Sequence, residues 1–388
     1  MSARLRLTAG QRRSRVGSRH LLAPGAKGAA VEEVAHALVG LHATDPATVY
    51  LAARARLAAP SVAEVERGLY EDLTLTRMLC MRRTMFVVPV ELAPVVNAST
   101  ARRVALKERA HHAQLLSRAG GFTAEWIAAA EEAALAALRV RGQATAAELA
   151  ADVPALRERI VVSPGKPYER SQRVASRILG VLAAEGRIRR ARPLGGWTSN
   201  QFRWSAAQPL PELPEAAARA NLARRYLASF GPATAEDLKW WSGWTLSDTR
   251  KAIAATGAVA VELDEGTGWL LPDDTEAVPE PEPWAALLPA LDPTAMGWRH
   301  RDWYVDPDAR RQLFDRYGNI GPTVWWNGQV IGGWAQRPDG SVAYRLLTDA
   351  GRQARTAVDA EVERLTDWLG ETRFRPSFRT PLERELTG

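Results

Sequence analysis

Two polar side chains, His42 and Thr44, stand two positions apart in Leu38-Val39-Gly40-Leu41-His42-Ala43-Thr44-Asp45-Pro46. They follow an apolar helical stretch and precede a proline, which restricts the backbone ahead of it, so a turn is expected here. In extended chain, residues i and i+2 share a face, and both side chains then point into one cleft. An imidazole with a pKa near 6.5 can take a proton from an attacking water, while a hydroxyl orients that water. Such a pair suits hydrolysis. Asp45 either supports that chemistry electrostatically or caps the next turn. Of the other histidines, His20, His36 and the pair His111-His112 read as packing or surface residues, and His300 is a weaker candidate. No histidine pair has convincing metal spacing, and the lone Cys80 excludes an intramolecular disulfide, an iron–sulfur cluster and a multi-thiolate zinc site.

The elements that must position these residues come from a weak internal repeat. Gly142-Gln143-Ala144-Thr145-Ala146-Ala147-Glu148-Leu149 returns as Gly231-Pro232-Ala233-Thr234-Ala235-Glu236-Asp237-Leu238. Each copy follows a helical stretch (123–140 and 215–229), and each threonine is placed to cap a short helix. A second helix comes next, Ser171 to Glu185 or Leu246 to Ala255, and then two strands joined by a glycine turn. Helix, capped helix, helix and hairpin is the order of a winged helix. A third, degenerate copy is expected at the start: a helix from Val31 to Leu41, another from Ser61 to Tyr70, and strand character from Met78 to Pro89. Pro-rich acidic linkers at 208–214 and 279–283 bracket the second clear copy. Beyond them, Asn327-Gly328 between apolar runs signals a hairpin, a helix runs from Ala350 to Leu369, and the last dozen residues look irregular. The expected fold is α+β. Tandem winged helices occupy 1–122 (degenerate), 123–208 and 212–283, and a β-rich region with a terminal helix occupies 284–388.

The 388 residues are 46% hydrophobic and 24% charged, ordinary for a chain that buries a core and folds. No run of about 18 apolar residues exists, so no membrane partner is expected. The formal charge is +7, with Arg4, Arg6, Arg12, Arg13, Arg15, Arg19 and Lys27 all ahead of the first acid, Glu32. Only five of the 51 basic residues are lysines. Planar guanidinium forks suit phosphates and base edges, although G+C-rich coding gives the same bias. Of 14 tryptophans, most are expected in the core, with Trp197, Trp298 and Trp303 the candidates for exposed stacking on bases. Dinucleotide, Walker, zinc-protease and esterase motifs are all missing.

Several segments in order resemble the winged-helix AlkZ/YcaQ-like DNA glycosylases, which excise alkylated bases and unhook interstrand crosslinks. Leu41-His42-Ala43-Thr44-Asp45 is similar to the family's Gly-Leu-Gln-x-Gln/Asp. Arg77 with Met81-Arg82-Arg83-Thr84-Met85-Phe86 is similar to its Met-Arg-Gly-Thr-Leu-His. Gly231-Pro232-Ala233-Thr234, Leu288 to Asp292, and Met296 to Arg301 complete the set. The signature glutamines fall on His42 and Thr44, and the family's strand histidine on Phe86.

The resemblance implies a cofactor-independent, monofunctional glycosylase acting on N7-alkylguanine-type lesions in duplex DNA, with His42, Thr44 and Asp45 as catalytic residues. It also implies cytoplasmic DNA repair or genotoxin resistance. The DNA contacts it suggests are Arg77, Arg82, Arg83, Arg187, Arg189, Arg190, Arg192, Trp197, Trp298, Arg299, His300 and Arg301, and no metal. Two or three modules in one chain favour a monomeric clamp. A winged-helix transcription regulator or a non-catalytic damage-binding protein are the competing readings.

Overall fold

The computed structural model describes residues 5–388, so Arg4 lies outside it. Helix α1 (Ala9–Arg19) opens the chain. A first unit follows: α2 (Val31–Ala37), β1 (Leu41–His42), α3 (Pro46–Arg54), α4 (Val62–Tyr70), β2 (Leu75–Leu79) and β3 (Met85–Pro89). After α5 (Ala93–Val96) and α6 (Arg102–Gly120), a second unit comprises α7 (Ala124–Arg141), β4 (Gln143–Thr145), α8 (Ala146–Asp152), β5 (Arg159–Val162), β6 (Arg170–Arg173), α9 (Ala175–Ala184), β7 (Ile188–Pro193) and β8 (Phe202–Ala206). The third has α10 (Glu215–Phe230), β9 (Ala233–Thr234), α11 (Ala235–Ser242), α12 (Leu246–Ala255), β10 (Val259–Leu263) and β11 (Gly266–Leu270).

The fold is α+β, and the same small sheet recurs in all three units, ordered β1-β3-β2, β4-β8-β7 and β9-β11-β10. In each, a short strand pairs antiparallel with the second hairpin strand and runs straight into a capped helix. The cap is Asp45, Thr145 or Thr234. The two threonines form reciprocal capping boxes with Glu148 and Asp237, each satisfying two otherwise orphaned amide groups.

Four expectations are corrected. The first helix stops at Ala37, because Val39 and Gly40 take positive φ (52° and 108°) and turn the chain into β1. A Cβ on Gly40 would sit 3.1 Å from the Val87 carbonyl oxygen of β3, so glycine lets the strands approach. Asp45-Pro46, read as a turn, is the N-cap and first residue of α3, a position proline favours. Residues Ser171–Arg173, expected in a helix, instead lie with Arg170 in a strand that pairs with Arg159–Val162 as an inserted hairpin, and α9 starts at Ala175. The last residues are not irregular: Thr380 caps α15 (Pro381–Thr387).

The C-terminal region contains β12 (Ala285–Leu288), α13 (Arg310–Leu313), β13 (Thr323–Trp326), β14 (Gln329–Gln336), β15 (Val342–Leu346) and α14 (Gly351–Leu369). Its antiparallel sheet is ordered β12-β13-β14-β15, with Asn327-Gly328 at the expected hairpin turn. One hydrophobic core runs from Val16 and Phe86 through Tyr226, Phe230 and Trp241 to Trp298, Trp325 and Leu386. It joins the first unit, the third unit and the C-terminal sheet. The second unit has its own core, built from Leu135, Leu149, Ile178 and Leu182 among others. No described helix is long and apolar enough to cross a membrane.

Candidate functional site

The three signature positions converge. His42 lies opposite Phe86 in the β1–β3 register, with ring centroids 5.2 Å apart in an edge-on arrangement. The Met85 amide next to Phe86 donates to Thr44 Oγ1 at 3.4 Å. His42 is 2% exposed, and its Nδ1 has no hydrogen-bond partner. A buried polar atom left unpaired is costly, so a group that reaches this nitrogen is held strongly. Burial, with the nearby Arg82 charge as a smaller cause, pushes the His42 pKa down to about 3. This corrects the expectation of a pKa near 6.5. The imidazole is neutral throughout the physiological range, a weak proton acceptor but a good hydrogen-bond acceptor toward water.

Arg82 is supplied by the turn between β2 and β3. Cys80 and Thr84 close that turn by a backbone hydrogen bond of 3.0 Å, and Arg82 and Arg83 sit in the left-handed region at φ 52° and 62°. Asp45 has a structural task. Its Oδ1 accepts from the Ala47 amide at 3.1 Å and its Oδ2 from the Ser377 amide at 2.8 Å, which occupies both oxygens.

The expected DNA contacts divide sharply. Trp298 and Trp303 are not exposed: they are 2% and 7% accessible, and their indole N–H groups donate to the Phe230 and His300 carbonyls. Apolar area wins over the surrounding charges. Trp197 packs against Tyr50 and Trp368. Arg192 is bound by Glu66 and Glu71 of the first unit, and Arg187 by Glu131 and Glu132. Arg190 lies 4.4 Å from the Phe202 ring, and burial followed by the Arg77 charge lowers its pKa to about 10. Arg83 pairs with Glu108. Arg299 and His300 are held through their backbone amides, both donating to Asp237 at 2.9 Å. The basic N-terminal segment is no free arm: Arg12 pairs with Glu265, and Arg15 and Arg19 with Asp274.

Of the expected contacts, Arg77, Arg82, Arg189, Arg190 and Arg301 have no carboxylate partner among the described residues. Arg77 is 9% exposed, with Nε and Nη1 unpartnered. A cleft of about 310 Å³ runs along β2 between the first and second units, lined by Arg77, Arg102, Arg187 and Arg189 and also by Glu185 and Glu212. It includes neither His42 nor Thr44, so it is a surface feature separate from that pair. Sequence reasoning missed Arg102 and Trp240. It also missed the hairpin β5–β6, which carries Arg159, Lys166, Arg170, Arg173 and a 69%-exposed Tyr168. The signal was present in Pro164-Gly165-Lys166-Pro167, a run of turn residues. Among the described residues, no three His, Cys, Asp or Glu group to hold a metal ion.

These elements place a buried imidazole and a hydroxyl beside arginines that no carboxylate matches. A family model described as DNA glycosylase AlkZ-like matches residues 35–368, and the chain belongs to that family; its substrate is DNA. The structure is similar to that of the Streptomyces sahachiroi DNA glycosylase AlkZ, with a TM-score of 0.71 and 21% identity, covering 94% of this chain and 98% of that one. No curated protein matches the chain in sequence.

Proposed function

We propose that the protein is a monofunctional glycosylase that hydrolyses the N-glycosidic bond of N7-alkylguanine-type bases in duplex DNA, in repair or genotoxin resistance, with crosslink unhooking within its range. The observation that carries this reading is the unpartnered, buried His42 nitrogen beside Thr44, in a segment that resembles the family's signature. Alkylation at N7 places positive charge on the base, which then leaves readily with the bonding electron pair. The sugar becomes oxocarbenium-like, and a water adds to its anomeric carbon while losing a proton to solvent. Little base strength is needed. The neutral imidazole accepts a hydrogen bond from the water and fixes its position, and Thr44 Oγ, whose lone pair takes the Met85 amide, keeps its own proton free to donate.

In this reading the three repeated units are winged helices bounded near 122, 208 and 283, acting as a monomeric clamp in the cytoplasm. The proposed DNA-binding arginines are the expected contacts without carboxylate partners: Arg77, Arg82, Arg189, Arg190 and Arg301. Bases in a duplex are reached by extrusion from the stack, and backbone charge sets the affinity. The test is incubation with N7-methylated duplex followed by heat or alkali, which cleaves at abasic sites. His42→Ala loses cleavage and keeps DNA binding, and Thr44→Ala is milder because a water replaces part of the hydroxyl's role. No cleavage by the unmodified protein on any N7-alkylated or crosslinked substrate would leave a damage-binding protein.

A further inference from the structure

We infer that Arg82 and Arg301, converging on Trp240, form one phosphate-binding site that grips the strand carrying the target base next to His42. The inference deepens the glycosylase reading and rests on it for the role, though not for the binding. Three segments distant in sequence build the site. Arg82 comes from the β2–β3 turn, Trp240 from α11, and Arg301 from the Met296-to-Arg301 segment.

The Arg82 guanidinium lies 3.9 Å from the Trp240 ring centroid and that of Arg301 4.8 Å from it. Arg301 is also 5.1 Å from Phe314. Placing two like charges on one indole costs energy, and each further disfavours the other. Nothing among the described residues offsets this with a carboxylate. The Arg301 side chain reaches the Met296 sulfur at 3.8 Å and the neutral Tyr304 hydroxyl, and its buried Nε has no partner. The neighbouring Arg310 is already matched by Asp302. Both arginines are half-buried, so their donors are partly stripped of water yet open to a ligand.

The backbone is arranged to hold this pair. Arg82 takes positive φ, which costs a non-glycine residue energy that the surroundings must offset. Its amide packs against α11 at Gly243, where a Cβ would come within 3.3 Å of the Arg82 nitrogen. Gly243, itself at φ 79°, therefore lets the turn seat. A guanidinium pair with free forks fits a phosphodiester, whose oxygens accept two-pronged hydrogen bonds. The turn that carries Arg82 leads directly to Met85 and Phe86, which touch Thr44 and His42. A phosphate held there fixes the sugar to which the base is attached.

The test uses the whole chain and a 20-base-pair duplex, with or without a central 7-methylguanine. The double variant Arg82→Gln/Arg301→Gln lowers the slope of log K against log salt by about 0.9, the value for one phosphate. Single-turnover excision falls on the order of 10- to 100-fold. Arg364→Gln, which removes an exposed charge on α14, leaves both unchanged. An unchanged slope in the double variant overturns the site. A drop near 1.8 overturns the sharing of one phosphate, and an equal drop with Arg364→Gln reduces the effect to net charge. The lysine pair, Arg82→Lys/Arg301→Lys, guards against misfolding: it keeps the slope and loses excision, and wild-type excision in it overturns the need for forks. If the unmodified protein excises nothing, the slope on undamaged duplex still decides the phosphate site, and only the glycosylase reading falls.

Discussion

Ser377 donates its backbone N–H to Asp45 Oδ2 at 2.8 Å, so the residue that caps α3 also ties down the C-terminal segment. Removing that carboxylate therefore acts on stability before chemistry. Asp45→Ala loses an N-cap and leaves a partly buried amide unpaired, a destabilisation of about 2–4 kcal/mol. Asp45→Asn keeps one acceptor oxygen and falls between the two. Urea unfolding measures this, and wild-type stability with excision lost would instead make Asp45 a chemical participant.

The pH profile follows from His42. Its imidazole stays neutral well below pH 6.5, so single-turnover excision is flat from pH 8 to about 5. A rate that halves near pH 6.5 would contradict the burial of the ring.

Stability behaves differently. His20, buried between Thr294 and the Ser229 carbonyl, is also lowered to about 3, chiefly by burial and then by the Arg56 charge. For both histidines the folded pKa lies below the unfolded one. The unfolded chain therefore binds more protons between pH 6.5 and 3, and stability drops as pH falls through that window, by up to about 1.4 kcal/mol per unit for each ring. His42→Gln makes the decline shallower in chemical denaturation at pH 7, 6 and 5. An unaltered slope would show that His42 titrates normally.

The pair Arg56–Asp292 is fully buried, joined by two hydrogen bonds of 2.9 and 2.7 Å, and backed by the His20 and Ala52 carbonyls. Arg56→Met strands a buried carboxylate and costs about 3–5 kcal/mol. Arg56→Met with Asp292→Leu recovers part of that, because two apolar groups leave no orphaned charge. Equal losses in the single and double variants, read by urea midpoints, would mean that packing rather than charge is at stake.

Arg192, expected to touch phosphate, is occupied by Glu66 and Glu71. Arg192→Gln leaves the salt slope of duplex binding unchanged and speeds amide exchange in α4, because the wing of the second unit loosens from the first. A slope lower by about 0.9 would return Arg192 to the DNA contacts.

The repeat, its capped helices and the Asn327-Gly328 hairpin were legible because they depend on neighbours in sequence. Thr145 and Thr234 advertise their caps through acids three residues on. Asp45 does the same work without that partner, and so α3 was missed. Charge was read least well. Arg12, Arg15 and Arg19 look like a basic arm in sequence, yet their carboxylates, Glu265 and Asp274, come more than 250 residues later. The site was legible as a pair, His42 and Thr44, but not in its electrostatics. The low His42 pKa arises from burial by segments that no local spacing reveals.

The shared core has a consequence for synthesis on the ribosome. Helix α1 is made early, yet Glu265 and Asp274 must follow before its arginines are matched, and the cap of α3 waits for residue 377 to complete the partners of Asp45. The second unit, with a separate core, can close while translation continues. The contacts of α1 and of the α3 cap therefore stay incomplete until those distant partners have been made. Nascent chains arrested before about residue 380 should need chaperone cover, while the span 123–206 already resists proteolysis.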